Sequence, residues 1–226
     1  MNNTSLLYNI PEEFAEALSS IRAARYRDDI VVKEIPAPRN MAPYAVAMEA
    51  YVYEENGTRP PQFHLVGEHG LLPQQPQLKH LDQGDAIVVG RFVMLYDPEY
   101  NAEWEGHFRI IIYIRSQLEE GYEYDGMFNQ KVWDWLSHTL IKRSITYRDI
   151  AGTATKISSE SFGVIGDHGE NINAELRASW TAIDSYIRDH VEAFGEVLTL
   201  FAGEPEEAAD VIPMPTQRSF IAVVND

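Results

Sequence analysis

The segment HFRIIIYIR, residues 107–115, alternates two kinds of side chain in a way that could do chemistry. Successive side chains of a strand point to opposite faces. If Phe108, Ile110, Ile112 and Ile114 enter a core, then Arg109, Ile111, Tyr113 and Arg115 face away from it. The same alternation sets Arg91 opposite Phe92 and Met94, and Glu175, Arg177 and Ser179 opposite Leu176 and Trp180. Glu49, Tyr51 and Tyr53 join them from YAVAMEAYVY. A strand face of arginines interleaved with tyrosines can grip phosphates and carboxylates through guanidinium forks, or stack on bases. The same face also has an explanation without a ligand: arginine and glutamate pair across strands while their stems cover apolar surface.

Other chemistry-bearing patterns are weaker. DPEYNAEWEGH (97–107) gathers Asp97, Glu99, Glu103, Glu105 and His107, and hard cations take clustered carboxylate oxygens. No recognised ligand spacing is present, and such residues are the ordinary filling of a hairpin tip in an acidic protein, so no metal site is expected. His64, His69 and His80 with Asp82 lie in an aperiodic stretch that offers no common face for a metal. Gly163, Gly166 and Gly169 follow no clear parallel strand and open no helix, unlike a phosphate cradle. Ser158, Ser159 and Ser161 have neither an elbow motif nor an adjacent histidine to activate them. In VWDWL, Trp135 fits the apolar stripe of a helix, while Trp133 lies off it and either caps a sheet edge or anchors a partner. Cysteine is absent, which excludes disulfides and thiolate chemistry, and no cofactor fingerprint is present, so none is expected.

The elements that must position these residues can be read from period and punctuation. Residues 10–25 read as a helix, with Pro11, Glu12 and Glu13 suited to its first turn. IVVKEI (30–35) and residues 44–53 read as strands. Between them Pro36, Pro38 and Pro43 are not spaced as a polyproline ligand and should carry the chain in extended form between the strands, at an edge. Arg39 is the one residue there with binding chemistry. Residues 86–96 and 107–115 are strong strands joined through a ten-residue hairpin connection. A helix follows at 128–142, a strand with a glycine irregularity at 146–158, a strand at 174–180, and a last helix at about 184–202. The fold class is α+β: a mainly antiparallel β-sheet with about three α-helices packed on it, with a weak echo between two halves. Residues 1–9 form an N-terminal arm, 10–203 a single domain containing an irregular loop at 54–84, and 204–226 an acidic C-terminal tail.

Composition bounds the partners. The 226 residues carry a net charge of −17, from 35 acids against 18 bases, a field that repels phosphate backbones and anionic membranes. No run approaches the roughly 18 apolar residues needed to cross a bilayer. The opening MNNTSLLYNIPEEF has no basic region and no long apolar run, so no secretory signal is expected and the location read from it is cytoplasmic.

IRAARYRDDIVVKEIPAPRNMAPYAVAM resembles the opening signature of an actinobacterial family, domain of unknown function 3000, which is uncharacterised. The resemblance continues through GRFVMLYDP, WEGHFRIIIYIRSQLE, the WDWL helix, AGTATKISSESFG and ELRASWTA, covering residues from about 12 to about 203. Asp134 stands where the family tends to have serine, and Ala182 where it generally has proline. The resemblance implies a single-domain cytosolic protein and, through gene neighbourhood, a link to a ribonuclease-D-like exonuclease. It implies no catalytic residue. Its blocks include Arg39, Asp97, Trp104, Arg109, Arg115, Glu160, Arg177 and Trp180, and leave out the histidine loop and the tail. The candidate ligand-binding residues are therefore Arg39, Arg91, Trp104, Arg109, Tyr113, Arg115, Glu160 and Arg177. The first functional expectation is a non-catalytic binding or adaptor protein that contacts another cytosolic protein. The alternative is an RNA- or nucleotide-associated factor using the arginine and tyrosine face. A second alternative is an enzyme with its site near Asp97, Glu160 and the sheet arginines.

Overall fold

The computed structural model describes residues 10–53, 86–118, 126–160, 162 and 170–203. The N-terminal arm, the 54–84 loop with its histidines, the glycine series, Ser161 and the acidic tail lie outside the described residues.

Three helices and six strands alternate as α1 (Glu12–Arg22), β1 (Ile30–Ile35), β2 (Tyr44–Tyr53), β3 (Ala86–Asn101), β4 (Gly106–Leu118), α2 (Phe128–Lys142), β5 (Tyr147–Glu160), β6 (Glu170–Ala182) and α3 (Arg188–Phe201). The strands form one sheet in the order β1-β2-β3-β4-β6-β5, every pairing antiparallel, with β1 and β5 at the edges. This is the α+β class expected. The halves of the chain do not share a strand count: four described strands follow α1 and two follow α2.

Each helix buries a stripe set by its 3.6-residue period. Phe14, Ala17 and Ile21 are buried on α1, Phe128, Val132, Leu136 and Leu140 on α2, and Val191, Phe194, Val197, Leu198 and Phe201 on α3. They meet Phe92, Met94, Ile110, Ile112, Ile114, Leu176 and Trp180 of the sheet in one core. Burying side chains of this size contributes about 2 kcal/mol each, so the core holds the helices to this one face. Two glycines allow the approach. A Cβ on Gly90 would stand 2.5 Å from Leu198 Cδ2 and 2.7 Å from Phe194 of α3. One on Gly152 would stand 2.6 Å from the Trp133 ring of α2, which settles Trp133 as a cap on the edge strand.

Against the sequence reading α1 is shorter than 10–25 and β6 longer than 174–180, and three further differences have a local structural signature. The β3–β4 hairpin is longer, its strands running to Asn101 and from Gly106. Asp97 Oδ1 accepts from the Glu99 amide at 3.0 Å and Oδ2 from Asn101 Nδ2 at 3.1 Å, so the bend is satisfied locally and pairing resumes beyond it. The irregularity in β5 falls between Arg148 and Ala151, not at the glycine, with Asp149 at φ 49°. The last helix starts at Arg188, because Asp184 Oδ1 turns the chain by accepting from the Tyr186 amide at 2.9 Å. Ser20 Oγ of α1 then accepts from the Arg188 amide at 2.7 Å, which satisfies an otherwise orphan helix donor.

Candidate functional site

The cross-strand register places the candidate residues in rows on the face away from the helices. Lys33, Glu49, Arg91, Tyr113, Arg177 and Thr153 stand side by side across all six strands. The next row runs Val31, Tyr51, Val89, Arg115, Glu175 and Thr155, and on the other side lie Ile35, Ala47, Val93, Ile111, Ser179 and Ala151. Leu95, Arg109, Thr181 and Arg148 follow at the far end. Phe108, Ile110, Ile112 and Ile114 are buried against the helices, and Arg109, Ile111, Tyr113 and Arg115 point away, as the alternation required. In these rows the face carries Lys33, Arg91, Arg109, Arg115, Arg148 and Arg177 against Glu49 and Glu175, and Asp149 adds an acid beside Arg109. A chain of net charge −17 therefore concentrates cations on one face of its sheet.

The acid at the β2 end is tightly held. Glu49, only 4% exposed, accepts Arg91 Nε at 2.8 Å on Oε1; Oε2 takes the Tyr51 hydroxyl and lies 3.1 Å from Lys33 Nζ. Burial pushes its carboxyl up, and the bonds from Tyr51, Arg91 and Lys33 outweigh burial and hold it below the usual range, so it stays ionised. Lys33 also lies 4.7 Å from the Tyr51 ring centroid. Burial and the bond to Glu49 raise the Tyr51 phenol.

The middle of the face is more open. Glu175 accepts the Tyr113 hydroxyl at 3.1 Å and Arg177 Nη2 at 3.2 Å, and the Arg177 guanidinium lies 5.4 Å from the Tyr113 ring centroid. Arg115 reaches Asn173 Oδ1 at 3.4 Å, a long contact. Arg109 has neutral partners: Ser179 Oγ at 2.7 Å, Thr181 Oγ1 at 3.1 Å and the Asp149 carbonyl at 3.1 Å, which the β5 irregularity turns toward it. Burial lowers the Arg109 pKa, opposed by the Asp149 charge. Carboxylate pairing thus accounts for Arg91 and Arg177, while Arg109 and Arg115 meet neutral oxygens.

The remaining candidates do not join this group as a site. Arg39 is exposed in the connection between β1 and β2. Trp104 is buried in the β3–β4 turn, where its carbonyl accepts from Thr181 Oγ1. Glu160 ends β5 opposite Glu170, while Asp97 follows the row of Tyr96, Phe108 and Ala182. Twelve residues of β6 separate those rows, about 40 Å of strand, so Asp97 and Glu160 do not converge.

Sequence reasoning missed three polar clusters. Lys33 belongs to the Glu49 group, but only the β1–β2 register reveals it. Arg143 joins Glu192 at 2.8 Å and Glu196 at 2.7 Å; with Arg25, Tyr26, Arg27 and Ile30 these line a cleft of about 200 Å³. Trp180 Nε1 donates to His190 Nδ1 at 2.9 Å inside the core. Helical period marked His190 as inward but could not supply its partner.

An antiparallel sheet covered by helices on one face, with a cationic, ion-paired other face, defines a small α+β protein with a flat candidate surface. The chain belongs to the family described as Protein of unknown function (DUF3000), whose profile matches residues 10–211. No curated protein and no solved structure matches it.

Proposed function

We propose that this chain is a non-catalytic binding protein of the cytosol whose sheet face opposite the helices, left uncovered by the described residues, receives another protein. One observation carries the reading. The face is a broad surface on which half-buried Val89, Val93 and Ile111 lie among charged groups already bonded to one another, an arrangement suited to a protein contact. The cleft beside Arg143 lies elsewhere; it is smaller than the roughly 300 Å³ expected of a ligand pocket, and its Arg143, Glu192 and Glu196 pair among themselves. No helix among the described residues is long and apolar enough to cross a membrane. The concentration of cations on the face supports a second reading, an RNA- or nucleotide-associated factor.

The test is comparative capture from the native cell with quantitative mass spectrometry. Thr153→Trp places bulk at an exposed position of the face; His138→Trp places it on the outer side of α2. A protein recovered with the unmodified chain and with H138W, and lost with T153W, is the expected result. Equal recovery with T153W would remove the face from the account.

A further inference from the structure

The rows of the face that no described helix covers bring three arginines from different strands around one tyrosine. Arg91 on β3 and Arg177 on β6 flank Tyr113 in a single row, two strand spacings or about 10 Å apart. Arg115 lies two residues along β4, about 8 Å from each. All three are exposed, with Arg91 and Arg177 side chains at 57% and 69%. Arg91 uses Nε on Glu49 and Arg177 uses Nη2 on Glu175, and neither bond occupies the whole guanidinium fork. Arg115 contributes a charge with no carboxylate bond among the described residues. The triangle is cationic, donor-rich and bordered by Val89 and Ile111.

We propose that this face binds an acidic polypeptide segment, whose carboxylates engage Arg91, Arg115 and Arg177. This rests on the protein-binding reading above and adds the chemistry of the partner. Charge is complementary: the triangle is a cationic region of a strongly acidic chain, and it attracts an anion. The aromatic rings of the face distinguish peptide from nucleic acid. Single-stranded nucleic acid is held by bases stacked on open aromatic rings. Here the Tyr113 ring already carries the Arg177 guanidinium, and Tyr51 is buried with Lys33 over its ring. Glu49 and Glu175 stand within the arginine rows and would oppose a continuous phosphate backbone. A peptide with acids at every second or third position matches spacings of 8–10 Å and can set its apolar side chains on Val89 and Ile111.

The experiment titrates the full chain with three probes: a peptide of about twelve residues alternating glutamate with valine, long enough to cross the sheet; a single-stranded oligouridine of similar length; and inorganic phosphate. Titrations run at about 50 and about 300 mM salt, because screening separates charge-driven binding from the rest. Peptide binding that weakens at least about tenfold at the higher salt, and about tenfold in R115Q/R177Q, is the expected result. R22Q/K142Q, which removes two charges from the helix side, should bind as the unmodified chain does. Melting temperatures confirm that both variants fold, and R115E gives a second charge change should the double variant unfold. Oligouridine binding as tightly as the peptide, or peptide binding unmoved in R115Q/R177Q and R115E, overturns the proposal. Absence of peptide binding at low salt also overturns it, yet leaves the protein-binding reading standing if T153W still loses a captured partner. If T153W loses nothing, the reading itself fails.

Discussion

Arg91 Nε stands 2.8 Å from Oε1 of Glu49 across the β2–β3 ladder, one partner more than half exposed and the other buried. The asymmetry fixes which side of the pair matters to stability. Removing Arg91 leaves Glu49 with Lys33 and Tyr51, and the lost bond is discounted by solvent. Removing Glu49 leaves the buried Tyr51 hydroxyl without its acceptor and two cations without a counter-charge. Glu49→Ala should cost about 3 kcal/mol and Arg91→Ala about 1 kcal/mol or less. Urea denaturation midpoints of the two variants check this, and equal losses would contradict it.

His190 makes acid stability a readable property of the core. The Trp180 indole can only donate, so Nδ1 of His190 accepts and its proton sits on Nε2. Burial lowers its pKa to about 4, with Asp184 and Asp189 pulling weakly the other way. An unfolded histidine titrates near 6.5, so between those values the unfolded chain binds the extra proton. Stability from His190 is therefore fully present above about pH 6.5 and is lost as pH falls to about 4, a change of about 3 kcal/mol. Denaturant unfolding across that window should show the slope, and His190→Gln should flatten it while lowering stability at pH 7. An unchanged slope in H190Q would assign the effect to other groups.

Gly90 is where α3 meets the sheet most closely. Gly90→Ala forces a methyl within 2.7 Å of both Leu198 and Phe194, and should destabilise by about 2 kcal/mol through overpacking. Gly126→Ala, with no atom of the described residues within 4 Å of the added carbon, should leave stability within about 0.5 kcal/mol. Thermal unfolding of both variants decides the point, and a neutral G90A would mean that α3 can shift.

Arg143 ties the end of α2 to α3 by reaching two glutamates at once. Its side chain is 24% exposed, with Glu192 at 16% and Glu196 at 35%. Arg143→Lys keeps the charge but cannot span both carboxylates, so it should lose most of what Arg143→Ala loses, about 1–2 kcal/mol. Full recovery of the melting temperature in R143K would show that charge alone suffices there.

Strand bounds at 30–35 and 44–53 and the α2 span at 128–142 were legible because proline punctuation and apolar period agree there. The inward and outward sets of β4 followed from alternation alone. What alternation cannot supply is register, which decides that Lys33 and Arg91 share Glu49 while Arg109 faces Ser179. Local side-chain bonding also outran periodicity: Asp97 prolonged a hairpin and Asp184 delayed a helix. Asp97 and Glu160 looked combinable in one dimension and lie at opposite ends of the sheet.

Site-specific photo-crosslinking in the native cell shows whether a protein sits on the sheet face. A crosslinking residue at Thr153 or Gln117 reports from the uncovered face, and one at His138 or Lys142 from the outer side of α2. One discrete protein adduct is expected from Thr153 and Gln117, absent from the two helix positions. Adducts from α2 with none from the sheet face would contradict it.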